Sequence, residues 1–266
     1  MELVTHLITK EEHTVNKEYA VRGKGFVGDK LIERVDAEYI PRDWIELPIC
    51  DNLFYLAAYG NVYYQKETLE VYKANIIEPL RLIEESGDCK SIVLVSTSSV
   101  LIPHQTFYSA SKKAMEEMAR LYYSEHKKPV VCVRPSTVTG VGEQYGRLIP
   151  TLIRSCLYGE EMNFVPEPTH DFIDVDDFVT GLLHVSQNIE EYKGKAVNIS
   201  SGNSLTNQEV REIVEEITGK PANVKIVPSM RSYDTKSWIV KPDLDLPRKS
   251  IYQSIREMVE YELNNR

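Results

Sequence analysis

Tyr108 and Lys112 stand four residues apart in the run Tyr-Ser-Ala-Ser-Lys. On an α-helix that spacing sets a phenol and an ammonium on one face, about one turn apart. A free phenol ionises at a pH of about 10 and is a poor base at neutral pH, but a neighbouring cation stabilises its phenolate. Such a pair can exchange a proton with a hydroxyl or a ketone. The same spacing is also common on solvated helix faces. What raises it here is the hydroxyl cluster Ser96-Thr97-Ser98-Ser99, which ends an apolar run just upstream.

A second constellation lies near the start. The segment Tyr19-Ala-Val-Arg-Gly-Lys-Gly-Phe-Val-Gly28 follows an apolar run and opens a helical one. In that context G-x-G-x-x-G signals dinucleotide binding rather than an ordinary tight turn. Gly23 and Gly25 let the backbone approach a pyrophosphate, and Gly28 lets the helix pack closely on its strand. The helix start at Phe26 and Val27 offers unpaired N–H groups and a partial positive charge. No acidic residue stands cleanly at the end of the second strand to hold a ribose 2′-hydroxyl. Arg42 and Asp43 are there side by side, and Lys24 projects from the turn. Two cations suit a 2′-phosphate, which favours NADP over NAD; two solvated surface charges are the alternative reading.

These residues need a frame, and from Tyr19 onward short apolar runs alternate with amphipathic segments, the pattern of a parallel sheet flanked by helices. Strands are expected at 19–21, 37–40, 53–57, 92–96, 130–133 and 196–199. Leu69, Tyr72, Ile76, Leu80 and Ile83 recur at three and four residues, so 69–85 reads as a helix with one apolar face. Further helices are expected at 108–124, 148–158, 177–186, 207–218 and 251–263, with Thr206 and Glu209 forming a capping box. The expected fold is α/β, a Rossmann-like doubly wound parallel sheet with a small C-terminal substrate-binding lobe. The dinucleotide-binding core covers 17–145. The lobe takes most of 146–266, with 196–199 returning to the core sheet. Residues 1–16 form an N-terminal extension with no assigned role.

At 266 residues the chain suits one compact body. Hydrophobic residues make up 42% and no apolar run approaches the roughly 18 residues of a membrane span. The N-terminus has no basic segment followed by an apolar core, so a cytoplasmic protein that does not engage membrane is expected. A net charge of −9 without a basic stripe argues against nucleic acid as partner. Cys50, Cys89, Cys132 and Cys156 are widely spaced, with no zinc pattern, and read as reduced structural thiols, so no metal is expected.

Taken in order, seven segments resemble the NAD(P)-dependent epimerase/dehydratase family, the extended short-chain dehydrogenases/reductases. GKGFVG resembles the family's glycine turn, LFYLAAYGNV its third strand and following loop, and IVLVSTSSV its hydroxyl strand. YSASKKAME resembles the catalytic helix, VRPSTVTGVGE the loop under the nicotinamide, and THDFIDVDDF with VNISSGNSLT the substrate-lobe motifs. The resemblance implies an enzyme acting on a nucleotide-linked sugar. Thr97 would hold the reacting oxygen, Tyr108 would be the acid/base, and Lys112 would lower its pKa and bind the nicotinamide ribose. Ala57 and Ala58 would pass the cofactor phosphates, Pro135 would lie near the nicotinamide, and Thr137 near the sugar. Asn75 matches a position beside the catalytic lysine, or is a polar cap under the sheet. Arg231 and Asp234 match a substrate-lobe arginine and acid, or are surface charges. A homodimer through a four-helix bundle of the 69–85 and 108–124 helices is also implied.

Three departures narrow the chemistry. Arg22 replaces the turn's usual first glycine, which implies a tighter turn or weaker cofactor binding. His170 stands where the family has an arginine, and only ten residues separate Thr97 from Tyr108. The family's sugar 4,6-dehydratases carry Asp-Glu after the hydroxyl residue, whereas Ser98 and Ser99 stand here and cannot do acid and base work at neutral pH. Dehydration is disfavoured. The family's 3,5-epimerising reductases carry a cysteine at the position of Ser99. What remains is hydride chemistry at one sugar carbon, either 4-keto reduction or 4-epimerisation. The competing reading is a catalytically inactive protein of the same fold that binds a nucleotide or nucleotide sugar.

Overall fold

The computed structural model of the chain describes residues 17–61, 65, 67–229 and 239–265. The strands are β1 Lys17–Arg22, β2 Glu38–Ile40, β3 Cys50–Tyr55, β4 Ser91–Val95, β5 Val130–Pro135, β6 Thr137–Thr139, β7 Met162–Phe164, β8 Thr169–Asp174, β9 Ala196–Ile199, β10 Ser204–Thr206 and β11 Val224–Ile226. The helices are α1 Phe26–Val35, α2 Thr68–Tyr72, α3 Glu78–Glu85, α4 Phe107–His126, α5 Leu148–Tyr158, α6 Val175–Gln187, α7 Ile189–Tyr192, α8 Asn207–Thr218 and α9 Ile251–Asn264.

Six strands form one parallel sheet in the order β2-β1-β3-β4-β5-β9, the six expected from the apolar runs. Their side chains alternate between faces, and both faces are apolar because helices cover both. Phe54, Val93, Val131 and Val133 pack with Leu31 of α1 and with Phe178, Leu182 and Val185 of α6. On the other face, Leu53, Tyr55, Ile92, Leu94 and Val130 pack with Leu82 and Ile83 of α3 and with Met115 and Ala119 of α4. The chain runs from β2 directly to the far side of β1, so the three-residue β2 is an edge and the winding reverses between β1 and β3. A crevice opens at such a reversal, outside the strands' carboxyl ends.

The helical stretch 68–85 is not uniform. Lys73–Ile77 is a π-turn, in which the Glu78 N–H donates to Lys73 O, five residues back. Pro79 follows directly, and without an N–H it cannot donate to the Asn75 carbonyl as an α-helix would require. The Ala74 carbonyl, released from its usual helical partner, accepts from the Tyr55 hydroxyl at 2.5 Å.

The lobe is built from α5, α8 and α9 around Ile149, Leu152, Val210, Val214 and Ile255. A small sheet β10-β8-β6 and the pair β11-β7 join it to the strand ends. Thr206 closes the expected capping box with Glu209 at the start of α8.

Gly28 sits so close to the turn before it that a Cβ there would lie 1.9 Å from Gly23 O. Gly28→Ala should therefore destabilise the chain by about 1–3 kcal/mol, lowering Tm by roughly 2–4 °C for each kcal/mol. A melting curve that overlays the wild type would show that α1 and the turn are not in this contact.

Candidate active site

The first turn of α4 is fixed before its chemistry begins. Thr106 Oγ1 accepts from Ser109 N at 3.2 Å, and Ser109 Oγ accepts from Thr106 N at 2.8 Å. This reciprocal cap holds Tyr108 within the first turn. One turn later Lys112 is 1% exposed, and its Nζ donates to Val95 O at 2.7 Å. Farther along the helix, the buried Glu116 accepts from Ser96 Oγ at 2.5 Å and from both Nε and Nη2 of Arg134, at 2.8 and 2.5 Å. These contacts pin α4 to the ends of β4 and β5.

Thr97 begins where β4 stops. It caps the 3₁₀ turn Ser98–Leu101, accepting from Ser99 N at 3.2 Å, with Ser99 Oγ 2.9 Å from its own hydroxyl. Burial pushes the half-buried Tyr108 phenol up to about 12, while a hydrogen bond with Thr97 and the Arg147 charge pull the other way. Burial brings the Lys112 ammonium down to about 8, opposed by Cys132 and Glu116.

Thr97, Tyr108 and Lys112 line a cleft of about 1630 Å³ that runs from the glycine turn to the lobe. Gly23, Lys24, Gly25, Phe26, Val27, Gly28, Ala57, Ala58 and Pro135 line it, as do Ser98, Ser99, Thr137 and His170. His170 packs against Phe172 with ring centroids 5.7 Å apart. Asn75 and Asp43 are not among the lining residues. Asn75 is fully buried beneath the loop after β3, where its amide joins Tyr59 N, Tyr59 O and Ser111 Oγ at 3.1, 2.8 and 3.0 Å. Arg231 and Asp234 lie outside the described residues.

The glycine turn fits a dinucleotide. Gly23 has φ 120° and a Cβ there would lie 2.5 Å from Ala57 N, so the turn lies against the loop after β3. Gly25, at φ 137°, is the N-cap of α1 with no side-chain cap, and a Cβ there would meet nothing within 4 Å. The open space over uncapped N–H groups is a cradle for an anionic pyrophosphate.

Arg22 stands at the start of this turn. Its side chain turns away to pair with Glu78 at 2.8 Å and to lie 5.6 Å over the Trp44 ring, while its carbonyl accepts from Leu56 N and Ala57 N at 2.8 and 3.1 Å. Arg42 pairs with Glu70 at 2.9 Å, and Lys24 Nζ lies 4.6 Å over the Tyr39 ring. All four of these side chains' residues, Arg22, Lys24, Tyr39 and Arg42, line one end of the cleft.

Glu143 and Arg147 are among the lining residues that were not singled out in the sequence. Glu143 is buried, and burial pushes its carboxyl up to about 7 against the Thr139 hydroxyl, which donates at 2.7 Å, and the Arg147 charge. Arg147 Nε lies 3.9 Å from Glu143 Oε1. Both stand in a polar loop where no spacing marks which charges the lobe will cover.

Residues 42–200 match the family model described as the NAD dependent epimerase/dehydratase family. Among curated relatives, the chain is 28% identical over 165 residues to CDP-abequose synthase of Salmonella muenchen, covering 58% of this chain and 56% of that one. The chain thus spans little more than half the length of that relative. It is 25% identical over 258 residues to a probable UDP-glucuronate 4-epimerase of Rhizobium meliloti, covering 81% of this chain and 75% of that one. Among solved structures, MoeE5 in complex with UDP-glucose and NAD matches with a TM-score of 0.82 and 21% identity, over 93% of this chain and 99% of that one. RMD from Pseudomonas aeruginosa complexed with NADPH matches with a TM-score of 0.73 and 20% identity, over 93% and 100%. The parallel sheet, its glycine turn and the matched residues carry one conclusion: the chain belongs to the NAD dependent epimerase/dehydratase family.

Proposed function

We propose that the chain is an NAD(P)-dependent enzyme acting on a nucleotide-linked sugar at one sugar carbon, by 4-keto reduction or 4-epimerisation, with Tyr108 as the acid/base. The observation that carries this reading is that Thr97, Tyr108 and Lys112 line one cleft with the glycine turn. At about 1630 Å³ the cleft exceeds the roughly 300–1,000 Å³ of a single small-molecule site, which leaves room for two ligands end to end.

A bound nicotinamide would supply the hydride donor or acceptor. The chain's own groups would then do the proton work. Thr97 would hold the reacting sugar oxygen by a hydrogen bond, and the Tyr108 hydroxyl would give a proton to it or take one from it. A phenol pushed up to about 12 is a proton donor at neutral pH; to act as a base it needs a cation to stabilise its phenolate. Lys112 is the cation one turn away on the same helix. Ser98 and Ser99 supply no acid or base, so elimination of water finds no dyad beside Thr97. Arg147, half-exposed on the lobe side, is placed to meet the substrate's negative charge.

Lys24 and Arg42 favour NADP over NAD through a 2′-phosphate, for which Arg42 would exchange its contact with Glu70. Leu69, Tyr72, Ile77, Met118 and Leu121 leave apolar surface uncovered on the helical stretch 68–85 and on α4. That surface fits a homodimer through a four-helix bundle.

Tyr108→Phe should lower turnover by about a hundredfold to ten-thousandfold with cofactor affinity unchanged, since the ring still packs and only the proton is lost. Nicotinamide absorbance with a panel of nucleotide 4-keto sugars, together with product separation for epimers, would measure it. Full activity in the variant would rule Tyr108 out.

Arg42→Ala should remove most of the preference for NADP, read as the ratio of the two dissociation constants by calorimetry. A wild type with equal constants would count against the 2′-phosphate reading.

Lys112→Met tests the cost of the buried ammonium. Its folded pKa of about 8 lies below the ordinary 10.5, so the folded chain holds fewer protons than the unfolded chain between those values. Wild-type stability therefore rises with pH across that window. The stability of Lys112→Met relative to wild type should be greatest at pH 7 and shrink by pH 10, measured by paired thermal melts. A difference constant over that range would show that Lys112 is not held as a desolvated cation.

A further inference from the structure

We propose that Glu78 reads the adenine edge of the dinucleotide, accepting a hydrogen bond from its 6-amino group, and that Arg22 is the positioning residue that holds the carboxylate for this task. The proposal rests on the reading of the cleft as a dinucleotide site. Its starting point is the edge of the sheet. Beyond β2 there is no further strand among the described residues, and the end of β2 carries no acid facing the cleft. The wall on that side comes instead from the helical stretch 68–85, where the small side chains of Val71 and Ala74 stand beside Glu78. Tyr39 of β2 and the paired Arg22 and Glu78 line the same cleft, and we take the pair as the floor of this end.

The floor has unused hydrogen-bonding capacity. Glu78 Oε2 accepts from Arg22 Nη2 at 2.8 Å, with the Tyr55 hydroxyl 3.2 Å away, while Oε1 has no hydrogen bond among the described residues. Arg22 is 6% exposed, and its Nε is buried without an acceptor. A buried donor left without a partner is rare in native structures and calls for one. The Arg22–Glu78 pair therefore lines the cleft with one carboxylate oxygen and one buried N–H that lack partners among the described residues. An adenine edge presents the complement, an amino donor beside an unprotonated ring nitrogen. The pair also explains the arginine at position 22, since a lone carboxylate in this slot would be a desolvated charge without a counter-ion.

The test replaces adenine by hypoxanthine. Nicotinamide hypoxanthine dinucleotide differs from NAD in carrying a carbonyl oxygen in place of the 6-amino group, so an acceptor would face the Glu78 carboxylate. Titration calorimetry of the full chain, which needs no turnover, should show NAD binding about tenfold or more tighter than the hypoxanthine dinucleotide. In Glu78→Gln, whose amide can donate as well as accept, the ratio should fall toward one. Equal affinities in the wild type overturn the proposal whether or not the variant folds. A wild-type preference that survives unchanged in a folded Glu78→Gln also overturns it, since another group would then be reading the base. If neither dinucleotide binds, the cofactor reading itself falls, an outcome distinct from equal binding of both.

Discussion

Glu116 holds together three elements of the cleft wall, α4 and the ends of β4 and β5. Its carboxylate takes both forks of Arg134 at the end of β5 and the hydroxyl of Ser96 at the end of β4, all from the inner face of α4. Removing one partner of such a buried pair typically costs about 3–5 kcal/mol, because the other charge is left without compensation. The same clamp sets the rotation of α4 about its axis. Given that rotation, Lys112 meets Val95 O, and Tyr108 lines the same cleft as Thr97, although these groups come from a helix and a strand end. The capped first turn then limits how far Tyr108 can drift. The groups proposed for the proton transfer are thus held by a helix and a strand end that are tied together.

The glycine turn depends on a similar economy of backbone. The Arg22 carbonyl accepts two N–H groups from the loop after β3, and the Asn75 amide holds the next part of that loop from below. The loop in turn lies against Gly23 so closely that no side chain fits between them. The glycine turn and α4 therefore share a support, since Asn75 also donates to Ser111 in the turn between Tyr108 and Lys112.

Much of this frame was legible in the residues because its physics is local. The six strands are short apolar runs buried on both faces, and the helix over 69–85 shows its three-and-four periodicity even though a π-turn interrupts it. The capping boxes at Thr106 and Thr206 differ in how visible they are. Thr206 carries the familiar Glu209 partner, while Thr106 uses a serine. Long-range pairings were not legible. Arg22 read as a disturbance of the turn because its partner, Glu78, is 56 positions away on a helix. Glu143 acquires its environment from α5 and the lobe, and nothing in V-T-G-V-G-E-Q-Y-G-R distinguishes it from a solvated carboxylate. Asn75 matched a position beside the catalytic lysine or a polar cap, and its amide bonds Ser111, next to Lys112, and the loop at Tyr59.

The proline at 79 bears on how this family member can drift. A ring without an N–H keeps the preceding turn wide, and the wide turn sets both the Asn75 amide under the loop and the Ala74 carbonyl against Tyr55. An ordinary helix former at 79 would let the helix regularise and carry residue 75 about 100° around the axis for each residue of slippage. Positions 55, 75 and 79 are thus epistatic. A change at one is neutral only on a background that already suits it, and the route by which one sequence becomes another through this helix runs in a restricted order.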